Sequence, residues 1–202
     1  MNIRLILLAL SAAPTALSGQ VPGTPDPSRA TAGAYSVDPA HTQVTWKLNH
    51  LGFSMLQGQF GASGGSLSLD PAKVAASKVE VTFDMKQLST TAPGFTKHLN
   101  SADFFDTAKF GTARFVSTSI KPSGKNAAVI VGNLTIKNLT KPVTLNARFL
   151  GAGSNPMANN ALNVGFSATG KIKRSDFGVA ITGWIGRKRV WDRSAAKFTP
   201  DR

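Results

Sequence analysis

Val79-Glu80-Val81-Thr82-Phe83-Asp84-Met85 alternates apolar and polar residues without a break, and Val143-Thr144-Leu145-Asn146-Ala147-Arg148-Phe149 does the same. Successive side chains of a strand point to opposite faces, so each stretch reads as a strand with one face buried and the other in water. That is the signature of antiparallel sheet. Val44, Trp46 and Leu48 against Thr45, Lys47 and Asn49 repeat the pattern, and shorter strand-like runs occur at 66–69, 114–120, 127–136 and 164–172. Turn chemistry separates these runs at 61–65, Asp70-Pro71, Pro122-Ser123-Gly124 and 151–156. Only 94–110 breaks the rhythm. A short helix with Ser101 as its N-cap is predicted there, with Asp103 and Asp106 serving its first turn. The sum is an all-β fold: an eight-stranded antiparallel barrel with a short helical insertion, because evenly spaced strands must close or pair to remove their edges.

Around this pattern the chain divides into four parts. Residues 1–18 combine Arg4 with the apolar run 5–10 and small residues up to Ala16-Leu17-Ser18, a cleavable signal peptide that predicts a periplasmic or secreted protein. Residues 19–33 hold Pro22, Pro25 and Pro27 among small polar residues and read as a flexible linker. The domain proper is placed at 34–186, and 187–202 is a basic tail. With 202 residues and 42% hydrophobic content, one core is expected to suffice without disulfides. The absence of cysteine excludes thiol nucleophiles and Cys-ligated metals. The net charge of +13 is spread out rather than gathered into an aromatic-interleaved stripe, which argues against nucleic acid and for a solvated surface or attraction to an anionic membrane surface.

Catalytic patterns are weak. Gly61-Ala62-Ser63-Gly64-Gly65 matches the G-x-S-x-G of a nucleophile elbow, but strand residues follow it instead of a helix, so a glycine-rich hairpin turn is expected. His41, His50 and His98 are scattered singly, without the spacing that places two metal ligands on one face. No metal and no cofactor is expected. The twelve Phe and three Trp are the unusual feature. In a filled barrel they are core; together they would also line an apolar cavity able to hold a lipid tail.

Five blocks, in order, carry a resemblance. They are Tyr35-Ser36-Val37-Asp38; His50-Leu51-Gly52-Phe53-Ser54 with Gly58 and Phe60; His98-Leu99 through Asp103-Phe104-Phe105-Asp106; Gly132 through Ile136 with Thr140-Lys141-Pro142-Val143; and Gly165-Phe166-Ser167-Ala168 through Asp176-Phe177-Gly178. Together they resemble the YceI-like polyisoprenoid-binding family. The resemblance implies an exported bacterial protein with a lipocalin-like barrel and no assigned catalytic activity, holding an isoprenoid lipid or isoprenoid quinone tail. It implies an apolar wall of Phe53, Phe60, Leu99, Phe104 and Phe105, with Trp46, Phe83, Phe115 and Phe166 as further members, and head-group contacts from His50 and His98. A final alternating strand is implied after Gly178, yet 186–197 lacks alternation and is densely basic, so either a basic tail or a frame change near Gly186 is expected. Two other functions stay open: a stress-related adaptor with a filled core and a membrane-docking basic surface, and an enzyme using His50 or His98 as base. The oligomeric state is open, with a homodimer among the options.

Overall fold

The computed structural model describes residues 21–179, together with the backbone of 189–190 and 193–200. The signal-peptide segment, 1–18, falls outside these residues.

The long strands are β1 Gly33–Val37, β2 Gln43–His50, β3 Ser54–Leu69, β4 Lys78–Ser89, β5 Thr112–Gly124, β6 Ala127–Ile136, β7 Leu139–Asn155 and β8 Ala161–Gly170. Among the described residues one α-helix, α1 Pro93–Asn100, interrupts them between β4 and β5. The short strands β9 Ile172–Lys173 and β10 Arg189–Val190 pair with each other, and β11 Arg193–Pro200 follows. Each strand from β2 to β7 pairs antiparallel with the next, and β11 pairs with β8 on one side and with β2 and β1 on the other. β2 and β1 occupy one strand position, since they pair with successive parts of β3, 54–61 and 66–69. The sheet therefore closes on itself as an antiparallel barrel of eight strand positions, which removes the free edges that an open sheet would expose.

The inward residues follow the alternation read from the sequence. Tyr35, Val44, Phe60, Val81, Phe83, Met85, Phe115, Leu134, Val164 and Phe177 are buried in one continuous core. On the outer face, the Arg114 guanidinium pairs with the Glu80 carboxylate across β4 and β5. The β6–β7 turn places Lys137 and Asn138 at φ 51° and 63°, the two positive values that a two-residue hairpin turn requires to match strand twist.

Four expectations are corrected. Residues 61–65 are no turn: they lie inside the sixteen-residue β3, where the register shifts twice as the strand passes from β2 to β1. Glycines there allow the bulge and the barrel's bend rather than a reversal. The helix ends where it was expected to begin. Pro93 opens α1, since the first turn has no use for its missing N–H, and Ser101 closes it, its amide and hydroxyl both donating to the His98 carbonyl. Asp103 and Asp106 consequently lie beyond the helix, not in its first turn.

The basic tail is the third. Its residues 193–200 are β11, the strand that completes the barrel. Residues 19–33 are the fourth: from 21 onward they are tied to the barrel. Thr24 and Ala152 exchange backbone hydrogen bonds at 3.1 and 3.0 Å, and the Asn126 side-chain amide donates to the Pro25 carbonyl. Asp26 caps the short turn Pro27–Arg29; the Ser28 amide, then its hydroxyl, hold the Asp26 carboxyl below the ordinary carboxylate value.

Candidate functional site

Among the described residues, two apolar cavities stand at opposite ends of the barrel interior. The larger, about 240 Å³, is walled by residues such as Leu67, Val81, Phe115, Ile130, Phe149 and Phe166. Its mouth is formed by the β3–β4 and β5–β6 connections, which contribute Ser77, Lys125 and Asn126. The N-terminal strap crosses this mouth, with Pro27 and Ala30 facing the cavity. The smaller cavity, about 50 Å³, lies under α1 and the following loop among Trp46, Leu48, Phe60, Leu99, Phe104 and Phe177. It has room for little more than one or two small groups.

The strap is held by shape as well as by hydrogen bonds. A Cβ at Gly153 would overlap the Pro22 carbonyl, and one at Gly151 would lie 2.9 Å from the Thr24 oxygen. Gly153→Ala is therefore expected to lift residues 22–24 off β7 while leaving the barrel intact. Trypsin cleavage at the exposed Arg29 should speed up by roughly tenfold with the melting temperature nearly unchanged, because local opening of a surface segment leaves global stability in place. An unchanged cleavage rate would mean the strap is not held there.

The wall residues named from the sequence are split between the cavities. Trp46, Phe60, Leu99, Phe104 and Phe105 line the small one. Phe115 and Phe166 line the large one. Phe83 lines neither, and its ring meets that of Phe60 edge to face at 5.6 Å. Phe53 is corrected outright: it sits at the β2–β3 hairpin tip, 90% exposed, because the β2–β3 ladder runs on to His50 and Ser54 after β3 has left β4 at Gln59. His50 lies on the same exposed ribbon and lines neither cavity. His98 stands outside both as well, its ring against Phe104 and its Nε2 3.5 Å from the exposed Asp103 carboxylate. Neither histidine lines a cavity, although His98 packs on Phe104 of the small one. His41 pairs instead with Asp38 at 2.8 Å, so the three histidines share no site.

The sequence reading missed most of the large cavity. Leu145, Ala147 and Phe149 had been recognised as an inward face, so that part was legible; Pro27 and Ala30 were not, since nothing in a proline-rich composition says what it packs on. Two buried polar atoms stand out beside the cavities: Trp46 Nε1 at the small one and Asn126 Oδ1 at the large one have no hydrogen-bond partner among the described residues. Among the described residues no group of three His, Cys, Asp or Glu could hold a metal ion, and no helix is long and apolar enough to cross a membrane.

Comparison with known proteins agrees with this architecture. The YceI-like domain matches residues 35–198, running past Gly186 and through most of β11. A UPF0312 protein of Vibrio cholerae is 38% identical over 159 residues, covering 78% of this chain and 83% of that one. The crystal structure of the Campylobacter jejuni YceI protein superposes with a TM-score of 0.64 at 26% identity, over 76% of this chain and 90% of that one. A polyisoprenoid-binding domain from Saccharophagus degradans, 12% identical, has the same fold with a TM-score of 0.56, over 83% of this chain and 98% of that one.

Proposed function

The chain belongs to the YceI-like family, and from that premise we propose that it is an exported carrier or sequestering protein that holds the apolar chain of an isoprenoid lipid or isoprenoid quinone inside its barrel. It acts in the periplasm or outside the cell, by binding rather than by catalysis. The observation that supports this reading best is the large cavity itself: an apolar space of about 240 Å³ with its few polar groups gathered at a strapped mouth. Burial of each CH₂ there is worth about 0.8 kcal/mol, and a chain needs few directed contacts beyond that. The binding named for the Saccharophagus degradans domain is in line with the same ligand class.

Extraction and mass spectrometry of lipid from the folded mature protein, purified from its native host, tests the proposal. An isoprenoid in near-stoichiometric amount is expected. Folded protein without lipid would overturn it in favour of the filled-core adaptor. One observation favours a membrane contact in either case: Leu51, Phe53 and Met55 are exposed on the protruding ribbon that also carries the exposed Lys47. Apolar tips beside a cation suit an anionic bilayer surface.

A further inference from the structure

The β2–β3 ribbon turns through Leu51-Gly52-Phe53, and the fold draws little from the apolar side chains there. Phe53, Met55 and Leu51 are all exposed. Leu51 moreover holds φ 59°, a left-handed conformation that Asn or Gly adopts more readily than a large apolar residue. The turn is shaped by other groups: the Gly52 amide donates to Asn49 Oδ1 at 2.6 Å, and the Phe53 amide donates to the His50 carbonyl at 3.0 Å. Single exposed apolar side chains are ordinary, but three on one hairpin tip make a patch, and its partner is to be sought outside the barrel.

A basic hollow flanks the same end of the barrel. Lys141, Lys171 and Lys173, all exposed, line an open recess of about 330 Å³ in which Asp176 is the one carboxylate. Ile172 and Phe177 line both this recess and the small cavity, and Trp46 and Leu48, at the foot of the ribbon, line the small cavity too. Recess and ribbon therefore belong to one end, and β10, paired with β9, lies beside β2 and links them. Leu139 adds a further exposed apolar side chain two residues before Lys141. Residues 39–69, which include the whole ribbon, contain no Asp or Glu. Apolar tips next to a surplus of ammonium groups match the order of layers in an anionic bilayer, where phosphates overlie the acyl boundary.

We propose that this end of the barrel is a docking face for an anionic phospholipid bilayer: Leu51, Phe53 and Met55 enter the acyl boundary, and the recess of Lys141, Lys171 and Lys173 seats lipid phosphate groups. Charge complementarity favours this partner over a second copy of the chain, because two such faces brought together about a twofold axis would oppose their lysines. The membrane contact thereby gains an orientation. The strapped mouth of the large cavity, at the opposite end of the barrel, faces away from the bilayer. The docking face requires no isoprenoid inside the barrel, since a carrier and a filled-core adaptor would both use it.

The chain has no cysteine, so one dye can be placed at a chosen position of the folded mature protein. Phe53→Cys and, on the exposed turn at the opposite end, Met157→Cys each receive a polarity-sensitive fluorophore. The two are mixed with vesicles of equal parts phosphatidylglycerol and phosphatidylcholine, or of phosphatidylcholine alone. The dye at position 53 is expected to shift to the blue on the mixed vesicles only, and the dye at position 157 on neither. In vesicle sedimentation without dye, Phe53→Ser should weaken binding to the mixed vesicles by about tenfold or more. Lys171→Gln combined with Lys173→Gln should weaken it by a similar factor, about tenfold or more. Melting temperatures should stay close to wild type, since all three side chains are exposed. The proposal is overturned by wild type that ignores phosphatidylglycerol, by equal shifts at both positions or on both vesicles, or by variants that bind as wild type does. A dimer that Phe53→Ser dissociates would overturn it too, assigning the tip to a second copy. None of these results bears on the cargo, which lipid extraction tests separately.

Discussion

A chain ending at residue 192 is expected to lose cooperative unfolding altogether. Deleting 193–202 removes β11, whose backbone pairs with β8 at 164–168 and, on its other side, with β2 at 43–45 and β1 at 35–37. Neighbouring strands on both sides would lose their partners together, and the barrel would become an open sheet with two long edges. At about 1 kcal/mol net per ladder hydrogen bond, before any lost packing is counted, the loss is of the same order as the ~5–15 kcal/mol that stabilises a whole domain. Calorimetry should find no sharp transition, and a dye that reports exposed apolar surface should bind at room temperature. A truncated chain that melts sharply within a few degrees of the full one would show that β11 is dispensable for closure.

Gly65→Ala is expected to be the most damaging of the glycine substitutions in β3. Gly65 has φ +147°, a region that residues with a Cβ rarely adopt. An added Cβ would overlap the Glu80 carbonyl and come within 2.8 Å of the Val81 Cα, both backbone atoms of the paired strand that cannot swing aside. Strain and overlap of this kind cost about 3 kcal/mol or more, which in a chain of this size lowers the melting temperature by roughly 6–12 °C. The neighbouring Gly64 is the control, because a Cβ there meets nothing within 4 Å. Gly64→Ala should change stability by less than about 1 kcal/mol. Equal melting temperatures for the two variants would refute the account of why β3 needs a glycine at 65.

The residues around Gly65 also show why part of the fold could not be read in advance. A cluster of glycines looks the same in sequence whether the chain reverses or only bends, since both need backbone that a Cβ would obstruct. What separates the two is the partner strand: β3 continues straight into pairing with β1, which no local pattern announces. Ser101 misled in a similar way. Serine reads as an N-cap, yet it closes α1, and proline at the first helical position begins it.

The candidate site divides along the same line. Phe83 was recognisable as an inward residue because alternation assigns a face to each strand position, and Phe60, Phe115 and Phe166 were named as wall residues by the family resemblance. Alternation carries no information about height along the barrel, so it could not place Phe60 in one cavity, Phe115 in the other and Phe83 between them. Phe53 had the right type and the wrong place, since a hairpin tip that outruns its sheet leaves an apolar residue nothing to pack on.

The sequence by itself determined the all-β class and the inward faces of β2, β4 and β7, because each depends on side-chain type and spacing along a single strand, and five ordered motifs carried the family. Only the tertiary structure decided that 193–200 closes the barrel, that the proline-rich segment straps the mouth of the large cavity, and that the inward aromatic residues are split between two cavities. Each of these is a contact between segments far apart in the chain. β11 is held by backbone hydrogen bonds that any residue but proline can donate, and the strap by backbone groups of Thr24, Pro25 and Ala152. Interactions carried by the backbone leave almost no trace in side-chain sequence, so they become visible only once the strands are brought together.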